Sequence, residues 1–296
     1  MADVEIACAA DLRLQLGEGP VWDVATAKLW FVDIPQGRIH AFDPETGGIE
    51  HWDVGEPIGC LALREAGGAL LALKSGFWTF DFASGVKTQL HDPEPELANN
   101  RFNDGTTDRQ GRFWAGSMMT AKPAAADGSF YRVDHDLACR RWRAGYYTTN
   151  GLAFSPDGRQ MFHSDSHPDV QTVWVSDYHP EEGWPLAPRP LFDCRQVAGR
   201  PDGGTVDAAG CYWMAGVSGW QLYRITPQGR LDRTIDMPVE RPSKPMFGGP
   251  NLDVLYVTSI GEGLTPGTEA QQPQAGSLFA LTGLGVQGVP EMRFQG

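Results

Sequence analysis

The chain has 296 residues, and its 37 Asp and Glu outnumber its 24 Lys and Arg, which gives a formal net charge of −13 at pH 7. This charge argues against nucleic acid or an anionic membrane as a partner, because both would repel the chain. No stretch approaches the ~18 to 20 continuous apolar residues of a membrane helix, so no membrane span is expected.

The amino terminus, MADVEIACAADLRLQLGEGP, has acidic residues early and no basic region before an apolar core. This pattern is unlike a signal peptide and predicts a cytoplasmic protein. The five Cys form no C-x-x-C pair and are odd in number. They favour reduced thiols over a disulfide framework or a Cys-based zinc site.

One template recurs six times along the chain: a polar residue, then a turn of the D-x-x-G or S-P-D-G kind, then a strand centred on an aromatic residue or Leu. The copies read GPVWDVATAKLWFVD, CLALREAGGALLALK, DGTTDRQGRFWAGS, GLAFSPDGRQMFHSD, DGGTVDAAGCYWMAG and, less regularly, PMFGGPNLDVLYVTS. They begin at positions about 41 to 52 residues apart, near the repeat length of propeller blades. The sequence therefore predicts an all-β, six-bladed β-propeller, with residues 1–296 forming a single domain.

The opening position of the template is polar in most copies. Because the first strand of each propeller blade lines the central channel, these side chains are expected to converge at one channel mouth. They are Glu18, Asn103, Asn150 and Asp202, whereas the second copy has Gly59 and the sixth begins near Lys244. Asn and Asp also cap turns through their own backbone, but the shared offset on several blades favours a site for a hard metal ion in the channel.

Two further interpretations follow from position in the repeat. His163, Asp165 and His167 alternate along a strand and could clamp a metal on spacing alone; the matching positions of other repeats favour a strand-end polar role for Asp165 instead. The segment VEIACAA near the start of the chain is expected to pair beside the strands after Gly276, because propeller rings often close by joining both termini in one blade.

Specific motifs follow one another along nearly the whole chain: LGEGPVWD with LWFVDIPQGRIHAFDPETG, NNRFNDGTTDRQGRFWAGSM, TNGLAFSPDGR, RPDGGTVDAAGCYW and FGGPNLDVLYVTS. In sequence and in order they resemble the SMP-30/gluconolactonase family of six-bladed propeller lactonases. The resemblance implies one divalent cation in the channel, bound by Glu18, Asn150 and Asp202. It also implies substrate contacts from Arg101 and Asn103.

The chain departs from the family pattern at two positions. Ala121 stands near the place where some members carry a substrate-contacting Glu, and Lys244 stands where many members have a small residue before FGG. Loss of an acid and gain of a base at one mouth predict Lys244 as a further substrate contact. They favour the lactone of a uronic or aldaric acid, although a pentonate lactonase could share these features.

The predicted activity is hydrolysis of an aldono-, urono- or aldarolactone to the open-chain acid. The cation would polarise the carbonyl, and Asp202 would act as the general base that takes a proton from water. Carboxylate and amide ligands favour Ca²⁺, Mg²⁺ or Mn²⁺, with Zn²⁺ or Fe²⁺ also open. Arg101 would hold a lactone oxygen or carboxylate through its planar fork, and Asn103 would bond hydroxyls.

Two other functions stay open at this point. The first is a non-catalytic binding scaffold with a structural metal, which the polar channel residues disfavour. The second is an ester or organophosphate hydrolase that uses the same cation. The expected partner is a small sugar lactone, and the protein is expected to be a monomer or a weak homo-oligomer.

Overall fold

Antiparallel strands make up almost all regular structure of residues 4–296, the part of the chain that the computed structural model describes. The opening strand, β1, is Glu5–Ala10. Three four-stranded sheets follow it, each with its strands paired in chain order. Blade 1 comprises β2 (Gly17–Asp23), β3 (Lys28–Asp33), β4 (Arg38–Phe42) and β5 (Ile49–Asp53). Blade 2 comprises β6 (Ile58–Leu63), β7 (Ala69–Leu73), β8 (Gly76–Phe80) and β9 (Lys87–His91). Blade 3 comprises β10 (Asn100–Thr107), β11 (Phe113–Met119), β12 (Gly128–Val133) and β13 (Cys139–Tyr146).

The second half of the chain repeats this plan, with one extra short strand in blade 4. Blade 4 comprises β14 (Thr149–Phe154), β15 (Gln160–Asp165), β16 (Thr172–His179), β17 (Trp184–Pro185) and β18 (Arg189–Asp193). Blade 5 comprises β19 (Arg200–Val206), β20 (Tyr212–Val217), β21 (Gln221–Ile225) and β22 (Leu231–Asp236). Blade 6 comprises β23 (Pro242–Gly248), β24 (Val254–Ser259), β25 (Leu278–Thr282) and the strand β1. Two short 3-10 helices, Cys194–Gln196 and Glu269–Gln271, are the only helical elements of residues 4–296.

The first strands of the blades form the inner ring. β2, β6, β10, β14, β19 and β23 each contact the next, and β23 contacts β2. These inner strands are almost entirely buried, whereas the outermost strands are largely exposed. The ring confirms the predicted six-bladed, all-β propeller.

The turns between strands follow the turn residues of the template. In the S-P-D-G turn, the Ser155 carbonyl accepts a hydrogen bond from the Gly158 amide at 2.9 Å. Gly158 has a φ of 66°, a left-handed conformation that glycine adopts without the steric penalty of a Cβ. Local turn chemistry therefore sets the strand boundaries that the sequence predicted.

Blade 6 joins the two ends of the chain. β1 pairs antiparallel with β25, from Glu5 opposite Thr282 to Ala10 opposite Leu278. This pairing confirms the expected closure, and it covers an edge of β25 that would otherwise be unpaired.

The segment after β25, residues 283–296, is here called the C-terminal tail. It contacts residues near the carboxyl ends of several inner strands. The Thr107 hydroxyl donates to the Met292 carbonyl at 2.5 Å, and Arg293 forms an ion pair with Asp23 at 2.8 Å. Phe294 is fully buried in the apolar core. The tail thus covers one end of the channel, so the candidate site lies at the other.

In residues 4–296 the structure has no helix that is both long enough and apolar enough to cross a bilayer.

Candidate active site

A cavity of about 210 Å³ lies at the amino-terminal ends of the inner strands. Five of the six blades contribute side chains to it, and most of the lining is polar. The polar and charged lining residues are Glu18, Arg101, Asn103, Thr148, Asn150, Ser166, Arg200, Asp202 and Arg241. The structure therefore brings the four polar template positions, together with Arg101, to one cavity.

Bulges in the inner strands set the direction of these side chains. The pairing register shifts just beyond Glu18, Asn150 and Pro201, and it shifts between Phe102 and Gly105. A bulge bends its strand locally and re-aims the neighbouring side chain. The same irregularity at the same template position therefore points side chains from different blades into one space.

Blade 2 contributes no side chain at the equivalent position. A Cβ on Gly59 would clash with the backbone of Phe102 and Asn103 in blade 3. The glycine therefore permits a close approach of two inner strands.

A chain of hydrogen bonds connects the two asparagines. The Asn103 amide nitrogen donates to Asn150 Oδ1 at 3.1 Å and to the Thr149 carbonyl at 2.9 Å. Asn150 Nδ2 donates to Ser166 Oγ at 2.7 Å. Both amide hydrogens of Asn103 are therefore used within the protein, so this geometry favours a positioning role for Asn103 over the expected hydroxyl contact. Asn150 Oδ1 keeps a second lone pair.

Glu18 and Asp202 are buried carboxylates that face the same cavity. Burial raises the pKa of Glu18 well above its usual range, and the negative charges of Asp202 and Asp104 add to this effect. Burial, with the charge of Asp104, also raises the pKa of Asp202 to about 7. Within residues 4–296 no cationic side chain lies at ion-pair distance from either carboxylate.

The donor set fits a hard divalent cation. Two carboxylates and one amide oxygen, from Glu18, Asp202 and Asn150, are the kinds of oxygen ligand that such ions prefer. A cation held by these residues would pair directly with both carboxylates, which the guanidiniums that line the cavity do not. Residues 4–296 hold no group of three or more His, Cys, Asp or Glu side chains that could bind a metal ion, and this donor set does not need one, because its third oxygen comes from an amide.

Arg101 lies beside Asn103 on β10. Its Nη1 donates to the Phe102 carbonyl at 2.8 Å and to Asn103 Oδ1 at 2.7 Å. Burial lowers the pKa of Arg101 to about 10, so the guanidinium stays charged at neutral pH. The two bonds fix Nη1 and leave the other N–H groups free to contact a ligand.

The structure does not support the expected substrate contact from Lys244. This side chain is 1% exposed, and its Nζ lies 2.5 Å from Asp104 Oδ1 and 3.1 Å from the Gly105 carbonyl. It packs across Gly203 of the neighbouring blade, where any Cβ would clash with it. Its charge is therefore already paired beneath the cavity.

Arg200 and Arg241 line the cavity and were missed by the sequence analysis. A signal existed for the first of them: Arg200 stands two residues before Asp202, as Arg101 stands two residues before Asn103. Side chains two apart on a strand share a face. Arg241 lies just before β23, and only the structure brings it to this cavity.

The His163, Asp165 and His167 trio does not converge on a metal. His163 is fully buried among aromatic rings, with its Nε2 3.0 Å from the Tyr146 hydroxyl. Asp165 accepts hydrogen bonds from the Tyr147 and Thr148 amides at 2.8 and 3.1 Å. The strand-end role predicted for Asp165 is confirmed.

The sequence profile described as SMP-30/Gluconolactonase/LRE-like region matches residues 16–261. The chain is 36% identical to a 6-deoxy-6-sulfogluconolactonase from Pseudomonas putida over 95% of each protein. It is 33% identical to regucalcin from Xenopus laevis over the full length of both. Among solved structures, a luciferin-regenerating enzyme is similar with 30% identity, full coverage of both chains and a TM-score of 0.89. A calcium-binding regucalcin from Agrobacterium tumefaciens is similar with 28% identity, coverage of 97% and 96%, and a TM-score of 0.90.

Proposed function

We propose that this chain, which belongs to the SMP-30/gluconolactonase/LRE-like family, hydrolyses sugar lactones with the help of one divalent cation. The lactonase class rests on the family and on the 36% identical sulfogluconolactonase. The proposed role of a cation rests on one observation. Two buried carboxylates, Glu18 and Asp202, face one cavity, and neither has a cationic partner at ion-pair distance in residues 4–296.

Glu18, Asn150 and Asp202 would hold the cation, and Ca²⁺, Mg²⁺, Mn²⁺, Zn²⁺ and Fe²⁺ are the candidate ions. When bound, the ion supplies Lewis acidity toward a carbonyl and lowers the pKa of a bound water. The regucalcin from Agrobacterium tumefaciens supports this proposal, because its structure is described as that of a calcium-binding protein.

Asp202 is the proposed general base. Its carboxylate takes a proton from water as the water oxygen bonds to the acyl carbon of the lactone. The carbon–oxygen bond of the ring ester then breaks, and the ring oxygen takes up a proton to become a hydroxyl. The product is the open-chain hydroxy acid, so the step adds one water and needs no other reactant.

Arg101 is the proposed electrostatic partner of the substrate. Its planar guanidinium donates hydrogen bonds to lactone oxygens, where negative charge grows as water adds. Asn103 accepts a hydrogen bond from Arg101 and donates one to Asn150. It thereby couples the position of the guanidinium to that of a proposed ligand of the cation.

The proposed substrates are aldono-, urono- and aldarolactones. The cavity of about 210 Å³ is smaller than the ~300 to 1,000 Å³ typical of sites for drug-sized ligands, which suits a monosaccharide derivative. Its many charged and amide groups match a ligand rich in hydroxyls.

A screen of lactones against metal-stripped protein tests this proposal. We expect chelation to remove hydrolysis of the best lactone, and one equivalent of a single divalent cation to restore it, as followed by acid release with a pH indicator. Circular dichroism before and after chelation controls for loss of fold. Full activity in protein shown to be metal-free by elemental analysis would contradict the metal-dependent mechanism.

The same screen separates the other candidate functions. An aryl ester or organophosphate turned over faster than every lactone would favour the ester hydrolase, and stoichiometric cation binding without any turnover would favour the scaffold. A single domain over residues 1–296, a monomeric or weakly homo-oligomeric state and a cytoplasmic location stay predictions.

A further inference from the structure

Three guanidinium groups line the cavity without an acidic partner among residues 4–296. The two buried arginines in this part of the chain form ion pairs, Arg112 with Asp108 and Arg132 with Asp134. The hydrogen bonds of the cavity arginines, in contrast, go to uncharged oxygens. Arg101 donates to a carbonyl and an amide, Arg200 donates to the Ser166 carbonyl at 3.3 Å, and Arg241 donates to the Glu262 and Gly263 carbonyls at 2.6 and 2.9 Å.

The charges around this space do not balance. Lys244 and Asp104 neutralise each other beneath it. The lining then holds three guanidiniums against two carboxylates, Glu18 and Asp202, and any bound divalent cation would make the balance more positive. The chain as a whole has a formal net charge of −13, so the positive charge of the cavity is local. A local positive electrostatic potential favours ligands with negative charge.

We propose that Arg200 and Arg241 form an anion subsite, and that the substrate is a lactone with a second, ionised group at a distance from its reacting carbonyl. This inference rests on the proposed lactonase function and narrows its substrate class. The ionised group is a carboxylate or a sulfonate, because the oxygens of either group can accept two parallel hydrogen bonds from one guanidinium.

The attachment of the two arginines fits this role. Each one is anchored through Nη1 to backbone carbonyls, and within the described residues its remaining N–H groups contact no carboxylate. They belong to blade 5 and to the segment that leads into blade 6, whereas Arg101 belongs to blade 3. The anion subsite and the proposed oxyanion contact therefore come from different blades of the ring, as a ligand with two polar ends requires.

Three lactones of matched ring structure test the proposal: a neutral hexonolactone, its C6 carboxylate analogue and its C6 sulfonate analogue. In the metal-loaded protein, Arg200→Gln and Arg241→Gln should each lower kcat/KM by about ten- to a hundredfold for an anionic lactone and by less than about threefold for the neutral one. Arg195→Gln is the matched control, because Arg195 is exposed and paired with Asp193. Its substitution removes the same charge and should leave all three values unchanged.

A binding measurement separates this inference from the proposed function. Calorimetry of the metal-free protein with the open-chain dicarboxylate, and with the corresponding sulfonate, should show binding that weakens about tenfold or more in either cavity variant and is unchanged in Arg195→Gln. The analogue with the higher wild-type kcat/KM identifies the natural anion. If wild-type protein hydrolyses none of the lactones, the proposed function fails while the anion subsite still stands or falls by calorimetry. Equal losses for neutral and anionic lactones, or anion binding that ignores both substitutions, would overturn the subsite.

Discussion

Asp202→Asn is expected to lower kcat by about 10²-fold or more, the usual scale for loss of a general base, while a large part of the cation binding remains. The substitution keeps an oxygen at the same place at the channel mouth but cannot take a proton from water. Initial rates on the best lactone and cation stoichiometry by elemental analysis measure the two effects separately.

Glu18→Gln is the matched comparison for Asp202→Asn, because it also replaces one buried carboxylate of the same cavity by an amide. We expect it mainly to weaken cation binding, with a rate that excess cation restores. The assignment of roles would be reversed if excess cation rescued Asp202→Asn fully and had no effect on Glu18→Gln.

Lys244→Met is expected to destabilise the fold by ~3 to 5 kcal/mol, the scale for breaking a buried ion pair by removal of one partner. The substitution leaves Asp104, which is 1% exposed, without its cation. Asp104 Oδ2 also accepts the Leu152 amide at 2.8 Å, so the uncompensated charge lies at a contact between two inner strands. Chemical denaturation measures the change in free energy of unfolding.

The double variant Lys244→Met/Asp104→Asn is expected to recover a large part of this stability, because the introduced side-chain amide is neutral and its oxygen could still accept the Leu152 amide. Lys74→Met serves as the control, since Lys74 is exposed, and substitutions at such positions usually change stability by about 0.5 kcal/mol or less. Unchanged stability in Lys244→Met, with a loss of kcat/KM for anionic lactones alone, would instead restore the substrate contact expected from sequence.

The six blades and the template position of each inner strand could be predicted from the amino-acid sequence. Both depend on local chemistry that is visible in one stretch of chain. Turn residues such as those of S-P-D-G end one strand and start the next, and alternating apolar residues bury one strand face. The pairing of β1 with β25 was also predictable, because a ring with two chain ends needs a closure. Glu18, Asn103, Asn150 and Asp202 reach one cavity because they occupy the same position of equivalent strands.

The partner of each charged side chain at the channel mouth could not be predicted from sequence and is visible only in the folded chain. Lys244 lies near the start of the sixth copy of the template but forms an ion pair with Asp104. Gly203 on the next blade has no side chain and therefore leaves room for the long side chain of Lys244. Arg241, outside any strand, reaches the cavity, and the C-terminal tail covers the opposite channel end through Met292, Arg293 and Phe294. These outcomes depend on contacts between segments that are far apart in the chain. The available space and the nearest opposite charge select each partner, and the repeat pattern of the sequence indicates neither of these two factors.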